Sequence, residues 1–293
     1  MDEMRRLVDQ LNQHGYYYYV LDEPRISDGE YDALYDRLVA LERETGVTLE
    51  DSPTKRVGGA VLEGFVKHTH LEPLYSLDKA KTLEELEEWE ERLQKQGAGK
   101  VAYSLEYKFD GLTINLTYEG GHLVCAATRG DGVTGEDITE QVKTIKSVPM
   151  RIPFQGRMEV QGEGIMRLSA LKKYNETAEE PLKNARNGVA GALRNLDTSV
   201  TAKRNLDAFF YNVGYIEGRD FQDHFEMIDF LRENRFKVSE CEKRFDNLAD
   251  IMAEIEKIAE HRDQLDFLID GMVIKVTDFE TRRRLGYTQK FPR

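Results

Sequence analysis

The hydrophobic pattern of this chain changes period near residue 100. Before that point apolar residues recur at helical spacing, first Met4, Leu7, Val8 and Leu11, then Tyr31, Leu34, Tyr35, Leu38 and Leu41. Such a repeat buries one stripe of a helix. Beyond it, residues 101–107 (VAYSLEY), 112–118 (LTINLTY) and 122–128 (HLVCAAT) alternate with period two, as strands do. Gly120-Gly121 between the last two is a hairpin turn signal, so the sheet is at least partly antiparallel. Further strands are expected at 157–166, 207–215 and 268–277, and helices near 134–146, 168–175, 222–233 and 247–260. Strand pairs with scattered helices predict an α+β fold rather than a doubly wound sheet. No internal repeat or low-complexity segment interrupts the pattern.

The ends of the early helices are marked as well. Pro24 breaks the run that follows the aromatic cluster Tyr16 to Tyr19. Ser27 and Glu30 form a capping box, because each side chain can satisfy a backbone N–H that the first turn leaves free. Gly46 can close that helix, and the whole reads as a small helical hairpin. Residues 51–74 hold Pro53, Gly58, Gly59 and Pro73 and read as a linker. Thr82 and Glu85 make a second capping box, opening a helix through about Gln96.

Charge narrows the partners. The chain carries 41 Lys+Arg against 54 Asp+Glu, a net charge of -13. That disfavours a free-standing nucleic-acid clamp, which needs a basic surface, but not nucleic-acid chemistry on a chain gripped to DNA elsewhere. Cys125 and Cys241 are too few for a disulfide framework or a four-cysteine zinc site and fit a reducing cytosol. No apolar run reaches the length of a membrane span, and the first residues lack a signal-peptide core. A cytoplasmic, monomeric protein is expected.

One segment could carry covalent chemistry. Lys108 lies between two strand patterns in Glu106-Tyr107-Lys108-Phe109-Asp110-Gly111. A nucleophilic lysine needs a neutral amine, and at an ordinary pKa only about one in a thousand is neutral near pH 7. Desolvation or a nearby cation must lower it, and Phe109 is a candidate source of apolar surroundings. A surface lysine between two acids is the alternative. Next, Gly130, Gly132 and Gly135 match G-x-G-x-x-G within RGDGVTGE, the phosphate-binding turn of dinucleotide folds. Glu159 could loosely supply the acid that such a fold wants, yet the preceding strand is the second arm of a hairpin. A plain tight turn is the other reading, and no G-x-x-x-x-G-K-[ST] is present. Glu163 places a carboxylate in an apolar strand, Arg186 and Arg194 sit among small residues, and Lys275 emerges from a strand, Asp270-Gly271-Met272-Val273-Ile274-Lys275. His68 and His70 lack a third ligand at metal spacing, and no metal ligand is assigned.

In their order, Lys-Phe-Asp-Gly, Gly-Glu and Asp-Gly-x-x-Ile-Lys resemble motifs I, III and IV of the covalent nucleotidyltransferases. The longer strings LEYKFDGL, AATRGDGVTGEDIT, NARNGVAGALRNLD and IDGMVIKV resemble the adenylation domain of bacterial NAD-dependent DNA ligases. Tyr18-Tyr19-Val20 through Ser27-Asp28-x-x-Tyr31-Asp32 resembles the N-terminal domain of that family, which binds the nicotinamide mononucleotide (NMN) half of NAD. The resemblance implies a helical domain over 1–70, linker included, and an ATP-grasp-like nucleotidyltransferase domain over 71–293. It implies that Lys108 attacks the α-phosphate of NAD to give lysine-AMP. Glu106, Asp110, Arg129, Glu163, Arg186 and Lys275 would line the nucleotide pocket. Tyr211 would stack on adenine, with Ser76 and Leu77 at the adenine edge. Arg194 and Arg262 match positions used around phosphates or DNA. Tyr18, Tyr19, Asp28, Tyr31 and Asp32 match the NMN site. Mg²⁺ and nicked DNA are the implied cofactor and partner. An ATP-using nucleotidyltransferase, a Rossmann oxidoreductase and a non-catalytic nucleotide-binding module are the rival readings.

The chain departs from the family pattern at Gln161, Lys79 and Tyr19, where Arg, Asn and His are frequent. It is expected to stop before motif V, since Lys290-Phe291-Pro292 imitates that motif but lies too close to Lys275. The motif V lysine, the oligonucleotide-binding fold, the zinc finger and the helix–hairpin–helix repeats are thus expected to be absent, and self-adenylation slow or absent. A hinge within 52–72 would let the helical hairpin close over the nicotinamide half.

Overall fold

The computed structural model describes residues 1–288 and 291–293; Lys290 of the motif V look-alike lies outside them. Helix α1 (Asp2–Gly15) runs into a π-helical turn at Tyr16–Val20, and α2 (Asp28–Thr45) packs on α1. Their apolar stripes meet in a small core of Met4, Leu7, Val8, Leu11 and Leu38. Half of the first capping box forms: Ser27 Oγ accepts from the Glu30 N–H at 3.1 Å, while Glu30 Oε1 accepts from the Ser27 hydroxyl at 3.1 Å instead of from a backbone N–H. Gly46 ends α2 at φ 67°, a left-handed conformation that glycine adopts without a Cβ penalty.

The expected linker is partly ordered. It holds a 3₁₀ turn at Pro53–Val57 and a short strand, β1 (Lys67–Thr69). Then follow α3 (Leu83–Lys95), capped by Thr82, and strands β2 (Tyr103–Phe109), β3 (Leu112–Glu119), β4 (His122–Thr128) and β5 (Thr134–Glu136). The chain continues through α4 (Thr139–Lys143), β6 (Met158–Ile165), α5 (Leu168–Thr177), α6 (Ala185–Leu193), α7 (Thr198–Lys203) and β7 (Asp207–Ile216). It ends with α8 (His224–Glu233), β8 (Glu242–Phe245), α9 (Leu248–His261), β9 (Ile269–Val276) and α10 (Phe279–Leu285).

Two antiparallel sheets organise this part. One has strand order β4-β3-β6-β7, the other β8-β2-β9. The first carries the main core, with Ile114, Leu116, Val160 and Phe210 against Val189, Leu193, Met227 and Leu231 of the helices. The second packs Tyr103, Leu105 and Val276 against Leu93 of α3 and Leu248 and Ile251 of α9. Phe109, Ile165 and Phe209 form a smaller apolar cluster with Tyr107 and Phe267, joining residues of both sheets.

The expected helix at 134–146 is a correction: only Thr139–Lys143 is helical, because 134–136 instead pairs with β1. The Rossmann reading falls on the same observation. β4 is antiparallel to β3, and the glycine-rich turn leads into a strand, not into a helix whose N-terminus could hold phosphate. The glycines serve close packing. Gly130 has φ 60°, and a Cβ on Gly132 or Gly135 would lie 2.5 Å from Leu74 O or 1.8 Å from Thr128 O.

The helical hairpin rests on the α4–β6 connection and the segment after α8. Arg56 donates to the carbonyls of Ile145 (2.7 Å) and Val148 (2.6 Å). Lys237 donates to Tyr19 O at 2.8 Å, and Arg235 to Gln13 at 3.0 Å.

Candidate active site

Strand alternation divides the β8-β2-β9 sheet by chemistry. Leu105, Met272 and Ile274 belong to its apolar cluster. Ser104, Glu106 and Lys108 are at alternate positions on β2, and Lys275 pairs with Ser104 while Glu242 pairs with Glu106. One face is therefore core and the other is functional. Lys275 forms an ion pair with Glu106, which is only 3% exposed. Lys108 donates to Asp270 Oδ2 at 3.0 Å, and its side chain is 37% exposed. Phe109 follows Lys108 on the strand and belongs to the apolar cluster with Ile165 and Phe209. Its ring stacks on Phe209 at 4.5 Å.

Immediately after Phe109 the chain passes from one sheet to the other through Asp110-Gly111. A Cβ on Gly111 would sit 2.0 Å from Gly164 O, so the Asp-Gly step of the motif is a packing requirement. The crossing brings β6 and β7 to the same junction. Glu163 on β6 pairs with Thr113, whose hydroxyl donates to it at 3.2 Å. Burial pushes the Glu163 carboxyl up to about 7, while Thr113 and the charge of Lys108 act in the opposite sense. Tyr211 is the extra residue of a bulge in β7: Gln161 pairs with Asn212 and Gly162 with Phe210. Bulges re-aim side chains. Here Lys275 Nζ lies 5.3 Å from the Tyr211 ring centroid. Burial first, then Glu163 and Glu106, drives the phenol well above its usual value.

Further predicted residues join this group. Arg129, at the end of β4, donates to Ser76 Oγ, next to the exposed Leu77. Arg186, in the first turn of α6, faces Asp110 at 3.5 Å. Arg194 instead meets Glu136 at 3.5 Å, and Arg262 donates to Ile269 O, bracing the start of β9. Tyr18, Tyr19, Asp28, Tyr31 and Asp32 line a separate cleft of about 970 Å³, whose other wall includes Lys146 and Arg151. Burial pushes the Tyr31 phenol up to about 12. Lys108, Glu163, Lys275 and Tyr211 do not line that cleft.

Asp270, Thr113, Glu242 and His224 were not among the predicted site residues. The Asp-Gly step that Asp270-Gly271 shares with Asp110-Gly111 was the signal for the first. His68 and His70 are held by protein atoms: His68 by Glu159 at 3.1 Å, His70 by Arg129 O at 3.0 Å and Asn115 at 2.9 Å. Glu159, the loosely assigned Rossmann acid, also accepts from Leu71 N–H, Asn115 and Thr117. It is a buried anchor for the segment entering the site.

Comparison with known proteins then identifies the lineage. Residues 62–293 match the model of the NAD-dependent DNA ligase adenylation domain. The chain belongs to the NAD-dependent DNA ligase family. Residues 1–58 match the DNA ligase-like, N-terminal NAD+-binding domain. Proteins named DNA ligase from Alkaliphilus oremlandii, Alkaliphilus metalliredigens and Finegoldia magna are 60%, 57% and 53% identical over 100% of this chain. It covers 45%, 45% and 46% of them, so it spans less than half the length of the curated relatives it matches. A solved mycobacterial DNA ligase D complexed with ATP and MES overlaps 60% of this chain and 49% of its own, at 12% identity and a TM-score of 0.34. That overlap is too low to bear on the site. The family places this chain as an adenylation fragment with a nucleotidyltransferase-like domain and an NAD-binding domain.

Proposed function

We propose that this chain carries out the adenylation step of a nick-sealing ligase, with Lys108 as the nucleophile. The Lys108 ammonium first gives one proton to water at its exposed pair with Asp270, and the neutral amine then attacks the adenylyl phosphorus of NAD. A P–N bond forms to Lys108, the P–O bond to NMN breaks, and NMN leaves with the electron pair as its phosphate. The amine's proton passes to Asp270, which already accepts its hydrogen bond at 3.0 Å and is exposed enough to hand it to water. Splitting ligation in this way replaces one hard step by easier ones. Lys275 and Arg129 supply positive charge for the transferring phosphate. Glu163, held by its Thr113 partner, accepts from ribose, and Tyr211 offers its ring to adenine. The carboxylate of Asp110, 3.5 Å from Arg186, is a hard oxygen donor of the kind that Mg²⁺ prefers. Bound there, Mg²⁺ would neutralise phosphate charge.

The hairpin cleft suits the leaving half. Tyrosine rings attract a cationic nicotinamide, and Asp28 and Asp32 do so more strongly. That cleft and Lys108 are lined by different residues, so joining them on one NAD calls for a movement of the hairpin about the 52–72 segment. We place the domain boundary near residue 70, ahead of the loop bearing Ser76. In a longer protein, sealing of nicked DNA would follow.

The observation that carries this reading is the convergence of Lys108, Glu163, Tyr211 and Lys275 from two sheets at one junction. Labelled adenylate transfer tests it. The expected result with Mg²⁺ is slow addition of AMP to Lys108 from NAD, none from ATP, and none on Lys108→Ala. Label from ATP alone points to the ATP-using class, and label retained by Lys108→Ala overturns the assignment.

A further inference from the structure

Behind Lys275 lies a buried chain of polar groups that the proposed reaction leaves unused. Glu106 and Glu242 are directly opposed across β2 and β8. Glu106 is 3% exposed and the Glu242 side chain 2%. Apart from Lys275, no hydrogen-bond donor among the described residues reaches either oxygen of Glu106, and Glu242 Oε1 has none. His224, fully buried on α8, meets Glu242 Oε2 through Nε2 at 3.0 Å and lies 3.8 Å from Glu106 Oε2. Its Nδ1 faces Arg282 Nη2 at 3.5 Å.

These contacts determine where the protons sit. Arg282 can only donate, so Nδ1 of His224 accepts and Nε2–H donates to Glu242 Oε2. Two anionic carboxylates stripped of water and facing each other repel strongly, and unpaired buried oxygens are costly. A single proton on Glu242 Oε1, donated to Glu106, removes both penalties. It leaves one anion, Glu106, against one ammonium, Lys275.

We propose that Glu242 carries this bridging proton and acts, with His224 and Arg282, as a positioning residue that fixes Glu106 and Lys275 at the nucleotide pocket. The proposal rests on the adenylation reading above, since it takes Lys275 and Glu106 as pocket groups. The titration of the cluster agrees. Burial first, then the negative charge of Glu106, holds the Glu242 carboxyl far above its ordinary range. Burial also works against the charge of Glu106, but the Lys275 ammonium beside it helps to hold Glu106 below its ordinary value. Burial pushes His224 down to about 3, in keeping with a neutral ring.

A cation held by Glu106, His224 and Glu242 would meet the same oxygens, but the Lys275 ammonium already neutralises Glu106. The two readings part on substitution. Glutamine at 242 keeps an N–H for Glu106 and a carbonyl for His224; leucine keeps neither. Calorimetric titration of the 293-residue chain with AMP should show Glu242→Gln within about twofold of the parent and Glu242→Leu weaker by about tenfold or more. With ¹³C-labelled glutamate, a protonated carboxyl resonance should persist at about pH 8.5 and vanish in Glu242→Gln. Equal loss of AMP affinity in both variants overturns the proposal, as does unchanged affinity in both or the absence of that resonance. If the parent chain shows the resonance yet binds no AMP, the nucleotide pocket fails while the proton bridge stands.

Discussion

Glu163 links pH to stability at the scale of a single residue. Its carboxyl is raised to about 7 in the folded chain by burial, above its ordinary value of 4.5. Between those limits the unfolded chain has released a proton that the folded chain keeps, so this group's contribution to stability falls as pH rises from 4.5 to about 7. Glu163→Gln keeps an acceptor for the Thr113 hydroxyl without that loss. Thermal unfolding should find the variant equal to the parent near pH 4.5 and more stable by about 3 kcal/mol at pH 8, with adenylate transfer impaired. Equal stability of the two at both pH values would falsify the buried-acid account. Several residues of the site were legible in sequence because their chemistry is unusual for their neighbours, as with Lys275 amid Val273, Ile274 and Val276. Glu242 was not. A glutamate in the string Glu240-Cys241-Glu242-Lys243 reads as a solvated face until Glu106 is found opposite it.

Among the elements, the glycine-rich turn and β1 form one unit. His70 N–H donates to Val133 O at 2.9 Å and Leu74 N–H to Gly132 O at 2.8 Å, so the turn ties down the segment that leads to Ser76. A Cβ at Gly135 would lie 1.8 Å from Thr128 O, which no side-chain adjustment relieves. We expect Gly135→Ala to cost about 3 kcal/mol by thermal unfolding. Amide exchange should speed up at His70 and Leu74 while remaining slow at Leu116 in the main sheet. Uniform protection across both regions would show the strap to be independent of the turn. The three glycines were plain in sequence; their purpose was not, because G-x-G-x-x-G suits a tight turn and a phosphate loop alike. What separates them is the next element, and pairing with the distant Lys67–Thr69 made that element a strand. Thr134 and Gly135 are weak helix formers, and this long-range ladder takes them together with Glu136.

For the molecule as a whole, the helical hairpin is tied to the larger body by polar contacts. Arg56 is central, and burial pushes its guanidinium down to about 10. Arg56→Ala removes both of its carbonyl contacts. The segment 57–66 should then be cleaved faster in limited proteolysis, with a stability loss of about 1–2 kcal/mol and little change in the unfolding of the two-sheet body. Unaltered cleavage would mean that Arg235 and Lys237 suffice. No helix among the described residues is long and apolar enough to cross a membrane. The linear order of residues was enough to determine the helix stripes of Met4 to Leu11 and Tyr31 to Leu41, the caps at Ser27 and Thr82, the antiparallel hairpin at Gly120-Gly121 and the motif lysines. Each of these depends on neighbours within a few positions, where spacing alone sets which side chains share a face. Sheet partition, the bulge that aims Tyr211, the Lys108–Asp270 pair and the Glu106–Glu242 opposition were decided only in three dimensions. They join residues separated by tens to more than a hundred positions: strand pairing within the β8-β2-β9 sheet sets Glu242 opposite Glu106 and Asp270 beside Lys108, and the crossing at Asp110-Gly111 brings the β6 and β7 residues to the same junction.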